Sequence, residues 1–359
     1  MKLSISHLKP GMVLDSSIYS SQGKLLLSWG HTLTAKNIMA LKEIGILAAN
    51  IRSDVALNLD LEKTENVLDE EIKIEVLNSV RNFVEQNMTK KSYQTLIELI
   101  QNIIAEILSG KSSIGGLSEI LAYDSYTYAH SVDVCILSII IGHEMGLSKS
   151  ALVKLGMGSL LHDLGKTRIP IEILNKPGSL TKEEFIKIKK HTVLGHKMAN
   201  YEFEERLSKE SISIILNHHE RYDGSGYPRG LKGVELSVLD MICGIADMYS
   251  AMITDRSYRK ALFYSEVYEM LLGSAGNYFS FNVVQAFAQS IQPYPVGTLV
   301  RMNNGHQACV IKTNPSLPTR PVVKILPTKE IIDLSENLSS VIESQLSQEE
   351  ISELISNPS

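Results

Sequence analysis

Apolar residues recur at spacings of three and four through "EIKIEVLNSVRNFVEQN" and again through "YQTLIELIQNIIAEIL", two stretches free of glycine and proline. That period marks amphipathic helices, so residues 54–112 are read as a helical linker region carrying two of them. Residues 113–292 continue the helical pattern. On either side the texture changes. Residues 1–53 hold short strand-like runs broken by Gly11, Gly23 and Gly30. They lead into "LTAKNIMALKEIGI", where Leu33, Ile38, Leu41 and Ile44 keep helical spacing and Gly45 is placed to cap the end. After Pro293, polar and β-branched residues alternate around Asn-Gly and Pro breaks, so 293–334 reads as a small β unit. The tail, 335–359, is polar and reads as a loosely held helix. The fold class expected is mainly α: an all-helical domain flanked by a small N-terminal α+β unit and a small C-terminal β unit.

Composition narrows the function classes. In 359 residues, 44% hydrophobic and 21% charged, the net charge is −5 and no lysine- or arginine-rich run occurs. Nothing in that balance favours DNA, RNA or an anionic membrane as partner. Cys135, Cys243 and Cys309 are sparse and lack CxxC spacing, which suits reduced thiols. The apolar run Val132–Ile141 is too short to span a bilayer, and "MKLSISHLKPGMVL" lacks a signal-peptide core. A cytoplasmic protein without membrane insertion is expected.

The candidate chemistry lies in histidines and aspartates set on apolar stretches. His162 and Asp163 close "LVKLGMGSLLHDLGK", with Gly165 placed to terminate the helix. His130 enters the apolar "YTYAHSVDVCILSIII", His191 lies in "IKIKKHTVLGHKM", and His218 and His219 end "ISIILNHHE". Asp247 interrupts "LDMICGIADMYSAM", a stretch too apolar to leave a carboxylate uncompensated. Taken singly, each is more often a satisfied or exposed polar residue than a ligand. Jointly, several helices each present His or Asp from an apolar face, a donor set sufficient for two divalent ions. The remaining histidines, His7, His31, His143, His196 and His306, match no ligand position. No HExxH zinc motif is completed, because Leu147 and Asp223 stand where the second histidine would fall, and there is no P-loop.

The order His130, "HDLGK", His191, "HHERYDGSGYP" and "ADMYSAMITDRSYRK" resembles the HD-GYP family of metal-dependent phosphodiesterases over about residues 113–292. The resemblance implies hydrolysis of cyclic di-GMP to the linear dinucleotide, with GMP as a further product left open. It implies that His130, His162, Asp163 and Asp247 hold one metal and His191, His218 and His219 the other, with Asp163 bridging. Iron or manganese suits such mixed nitrogen and oxygen donors. Some members carry a glutamate four residues before the first histidine and recruit a third metal; Tyr126 stands there, so two metals are expected. The nucleophile expected is a hydroxide bridging the metals and oriented by Asp163.

Lys166 is expected to stabilise the transition-state phosphate, unless it only caps helix carbonyls. Arg256 and Arg259 are candidates for the second phosphate, unless they pair with Asp255 or Glu266. Gly224, Gly226, Tyr227 and Pro228 are read as shaping the site mouth, and Asp223 as tying their turn. That loop could also meet signalling partners, and the flanking units could pair two copies. Two alternatives stay open: a non-catalytic cyclic di-GMP sensor, and the same chemistry on another 3′,3′-cyclic dinucleotide.

Overall fold

A computed structural model describes residues 2–20, 25–46, 48–52, 70–85, 89–109, 126–174, 176, 178–202, 206–254 and 261–356. The chain opens with β1 (Lys2–Ser4), β2 (Ile18–Tyr19), β3 (Leu25–Leu27), α1 (Ala35–Glu43) and β4 (Ala48–Asn50). Among the described residues these helices follow: α2 (Glu70–Glu85), α3 (Lys90–Leu108), α4 (Tyr126–Glu144), α5 (Lys149–Leu160), α6 (Ile171–Leu174), α7 (Lys182–Lys189), α8 (His191–Glu202), α9 (Lys209–Asn217), α10 (Val238–Ile253), α11 (Tyr264–Leu272) and α12 (Phe281–Ser290). Strands β5 (Leu299–Met302), β6 (Gln307–Lys312), β7 (Val322–Ile325), β8 (Ile331–Asp333) and β9 (Ile342–Gln345) precede α13 (Gln348–Ser356). The mainly α class expected from periodicity holds.

The described residues form two compact units: the N-terminal segment together with residues from Ile291 onward, and the helices between Glu70 and Ser290. In the first unit β1 pairs with β4 and β2 with β3, both antiparallel, and the later strands form one antiparallel sheet ordered β8-β7-β6-β5-β9. The sequence reading sets 1–53, 293–334 and 335–359 apart, whereas here they share a core. Leu3, Leu14, Leu33 and Ile51 pack with Leu299, Cys309, Leu346 and Ile351. Strands of two or three residues cannot bury an apolar face alone, and each fully buried Leu or Ile contributes about 1.5–3 kcal/mol. The tail is likewise corrected: Val300 and Arg301 of β5 pair with Gln345 and Ser344 of β9. The Gln348 side chain, at the start of α13, accepts the Ser4 N–H at 3.0 Å.

In the second unit, α2 buries Val76, Val80 and Phe83, and α3 buries Leu96, Ile100, Ile103 and Ile107. These helices pack on each other, and α3 packs on α5, so they are part of the helical unit and not a linker. Local sequence sets the other ends: Ser148, Ser208 and Ser237 cap α5, α9 and α10, while Thr181 and Glu184 form a capping box on α7. Among the described residues no helix is long and apolar enough to cross a membrane.

Candidate metal centre

Helix α5 ends at Leu160, so His162 and Asp163 project from the turn that follows it, ahead of a 3-10 helix, Leu164–Arg168. Gly165 lies inside that 3-10 helix and is not a terminator. Its task is close approach, since a Cβ there would sit 1.9 Å from the His191 carbonyl oxygen and 2.5 Å from Gly195 N. Gly244 does the same for α10, where a Cβ would lie 2.7 Å from the His218 carbonyl oxygen. These two contacts let the backbones carrying His162–Asp163, His191, His218 and Asp247 converge.

Their side chains meet as three overlapping groups: His130, His162 and Asp247; His162, Asp163 and His218; His191, His218 and His219. Within each group the donor atoms lie within 4.8 Å of one another. His130 Nε2 is 2.9 Å from Asp247 Oδ1, and its Nδ1 is 3.0 Å from Ser250 Oγ. His162 Nε2 lies 3.3 Å from Asp163 Oδ2, and His191 Nε2 lies 3.5 Å from Asp163 Oδ1. His219 Nδ1 is 3.8 Å from Asp247 Oδ2. All are buried except His219, whose side chain keeps 28% of its exposure.

Hydrogen bonding fixes the tautomers. The Nδ1 atoms of His162, His191 and His218 face the carbonyl oxygens of Ser159, Ile188 and Ile214 at 2.7, 2.7 and 3.1 Å. A carbonyl can only accept, so each Nδ1 carries a proton and each Nε2 is left to face inward. Yet His191 Nε2 and His218 Nε2 stand 3.2 Å apart. Burial lowers the pKa of both, so both rings are neutral and no proton lies between them. Two lone pairs facing at that distance repel unless a cation lies among them. His162 Nε2 and Asp163 Oδ1 are also buried and without a hydrogen bond. The donor set therefore fits divalent metal ions.

The electrostatics agree with that fit. Burial works against the charge on Asp163 and Asp247, but neighbouring imidazoles, and for Asp163 also Lys166, hold both well below the usual carboxylate range. Burial lowers His130 and His219 too, the latter to about 3. His162 is raised instead, because the carboxylates of Asp163 and Asp247 outweigh its burial. Neutral imidazoles at His130, His191, His218 and His219 beside ionised carboxylates are the protonation states that metal ligation requires.

Lys166 Nζ lies 2.5 Å from Asp163 Oδ2. The loop after His219 carries Tyr227, whose ring stacks on His219 with centroids 4.7 Å apart. Asp223 accepts the Ser225 N–H at 2.8 Å, Gly224 has φ +81°, and the Tyr227–Pro228 peptide is cis. At Gly226 a Cβ would meet Glu220 Cα at 2.4 Å. Arg256, Arg259 and the side chain of Tyr126 lie outside the described residues.

Two contributors escape sequence reading. Ser250 orients His130 and could have been found three positions beyond Asp247, on the same helical face. Glu220 is buried, and its carboxylate accepts the N–H groups of Arg229, Gly230 and Leu231 at 2.5, 3.1 and 3.0 Å, pinning the loop that carries Tyr227. No local signal announces partners nine to eleven residues downstream.

Comparison with known proteins fits this geometry. Residues 116–283 match the family model described as "HD domain", and residues 299–354 match "KOW domain associated with HD domain". Residues 116–283 thus match an HD domain, and the relatives matched over this stretch are consistent with the HD-GYP family. It is 34% identical over 228 residues to the cyclic di-GMP phosphodiesterase PA4108 of Pseudomonas aeruginosa, a match covering 64% of this chain and 54% of that protein. It is 33% identical over 242 residues to the cyclic di-GMP phosphodiesterase PdeB of Borreliella burgdorferi, covering 65% and 63%. The chain thus spans between half and two thirds of the length of these relatives. The solved structure of Bd1817, an HDG"Y"P protein from Bdellovibrio bacteriovorus, shares the fold at TM-score 0.51 and 19% identity, over 80% of this chain and 98% of that one.

Proposed function

We propose that this chain hydrolyses a phosphodiester bond of cyclic di-GMP to give the linear dinucleotide. The observation that carries the reading is the buried pair of inward-facing imidazole Nε2 atoms, 3.2 Å apart, beside two ionised carboxylates. The names of the relatives supply the substrate class. His130, His162, Asp163 and Asp247 would hold one divalent ion and His191, His218 and His219 a second, with Asp163 shared. Iron or manganese suits this donor set. A bound pair of ions supplies acidification of water and neutralisation of phosphoryl charge.

The rest follows from the chain's own side chains. Carbonyl contacts hold three imidazoles in the ligating tautomer, as metal sites generally require. Lys166, one hydrogen bond from Asp163, places a cation where a phosphate oxygen would enter. Tyr227 covers the His219 face and keeps bulk water from that side.

Anaerobically purified full chain, loaded in turn with iron or manganese and assayed for linear product, tests the reading. Two metals per chain with turnover, lost together in Asp163→Ala, is the expected result. Two metals without product under either metal refutes catalysis and favours a cyclic di-GMP sensor. Faster turnover of cyclic GMP-AMP than of cyclic di-GMP would refute the substrate.

A further inference from the structure

The mouth of the metal centre carries a cation to which neither motif nor mechanism assigns a task. Lys189 is the last residue of α7, two positions before His191. Its Nζ lies 4.9 Å from the centre of the Phe185 ring and 4.7 Å from that of Tyr227. Phe185 sits one turn back on the same helix, while Tyr227 comes from the loop after His219 and stacks on His219. The ammonium is thus gripped between two aromatic faces and stands two ring contacts from a candidate metal ligand. No carboxylate among the described residues pairs with it.

That arrangement differs from a solvated surface lysine. A lysine on an exposed helix face ordinarily sweeps many rotamers, and ordering it costs conformational entropy. Here the two rings restrict it in advance by cation–π attraction. Ring faces hold a cation without neutralising it, so the charge stays available to an incoming anion. Glu184, the nearby carboxylate on the same helix, is already paired with Lys176. A cyclic dinucleotide has two phosphates. When one is at the metals the other needs a cation at the rim, where contact with solvent is retained.

Resting on the phosphodiesterase reading, we infer that Lys189, clamped by Phe185 and Tyr227, binds the non-scissile phosphate of the cyclic dinucleotide. It is a binding residue that selects substrates carrying a second phosphate and takes no part in bond cleavage. Phe185 is its positioning residue.

The test compares wild type, Lys189→Ala, Lys189→Arg and Phe185→Leu as full-length, metal-loaded protein. Two substrates are used: cyclic di-GMP and bis(p-nitrophenyl) phosphate, which has one phosphate only. Loss of one charge-assisted contact should raise the KM of Lys189→Ala for cyclic di-GMP about ten-fold or more, with kcat changed less than about three-fold. The loss of kcat/KM on bis(p-nitrophenyl) phosphate should be at least about five-fold smaller. Lys189→Arg should recover most of the KM, and Phe185→Leu should shift it in the same direction as Lys189→Ala but by less. A merely structural lysine would move kcat, metal content and both substrates together, and that result overturns the inference. So does an unchanged KM for cyclic di-GMP in Lys189→Ala. If wild type cleaves bis(p-nitrophenyl) phosphate but neither binds nor cleaves cyclic di-GMP, the parent reading falls and the role of Lys189 falls with it.

Discussion

Gly165→Ala adds one methyl group at the point where the 3-10 helix crosses α8. Its Cβ would lie 1.9 Å from the His191 carbonyl oxygen, 2.5 Å from Gly195 N and 2.8 Å from the His191 carbonyl carbon. Ordinary contact begins at 3.4 Å, and all three opposing atoms are backbone, so no rotamer change relieves the clash. The helix bearing His191 must move away from the turn bearing His162 and Asp163. Overpacking of this kind costs about 1–3 kcal/mol, which a domain of this size survives. Function should suffer more than stability, because metal ligands tolerate only about 0.2 Å of misplacement and a shift of about 1 Å can cost roughly a hundred-fold in rate. The expected outcome is a folded protein that retains fewer than two metals per chain, with turnover down about a hundred-fold or more. Metal analysis by mass spectrometry after desalting, circular dichroism and steady-state turnover read the three parts. Gly273→Ala is the control, since a Cβ there meets nothing nearer than 3.5 Å and its φ is −66°. Full metal content with turnover within about three-fold of wild type in Gly165→Ala would show that close approach at Gly165 does not position the centre.

Other perturbations test the shell and its charge states. Ser250→Ala removes the contact to His130 Nδ1, and metal retention should weaken by about ten-fold or more, measured by competition with a chelator; unchanged retention would deny Ser250 an orienting role. For metal-free protein, burial holds His130, His191, His218 and His219 below the unfolded value of about 6.5, so the unfolded chain binds more protons as pH falls through that value. Stability should therefore drop on acidification below about pH 6.5, against the opposing contribution of His162, whose pKa is raised. A denaturant midpoint that is equal or higher at about pH 5.5 than at about pH 7.5 would contradict this.

The apolar period of α2 and α3 was legible because each helix buries its own stripe, a pattern repeated every few residues. The strand β9 was not. As the edge of its sheet it leaves Glu343 and Ser344 exposed, so its composition reads as polar tail, and only pairing with β5 makes it a strand. At the centre, residue types were legible because a lone aspartate in "MICGIADMYSAM" or a histidine entering "SVDVCILSIII" is costly without a partner. Which partner it has was not legible: His130 meets Asp247 across 117 residues of chain.

By itself the sequence determined the helices, their caps and the identity of the donor atoms, since these depend on neighbours within a turn or two. Only the tertiary structure decided that the two ends of the chain share one core and that Glu220 pins the loop bearing Tyr227. It also decided that Gly165 is there for closeness and not to stop a helix. Such facts rest on backbone approach between segments far apart in the chain, where a fraction of an ångström separates a ligand cage from scattered polar groups, and no local period carries that information.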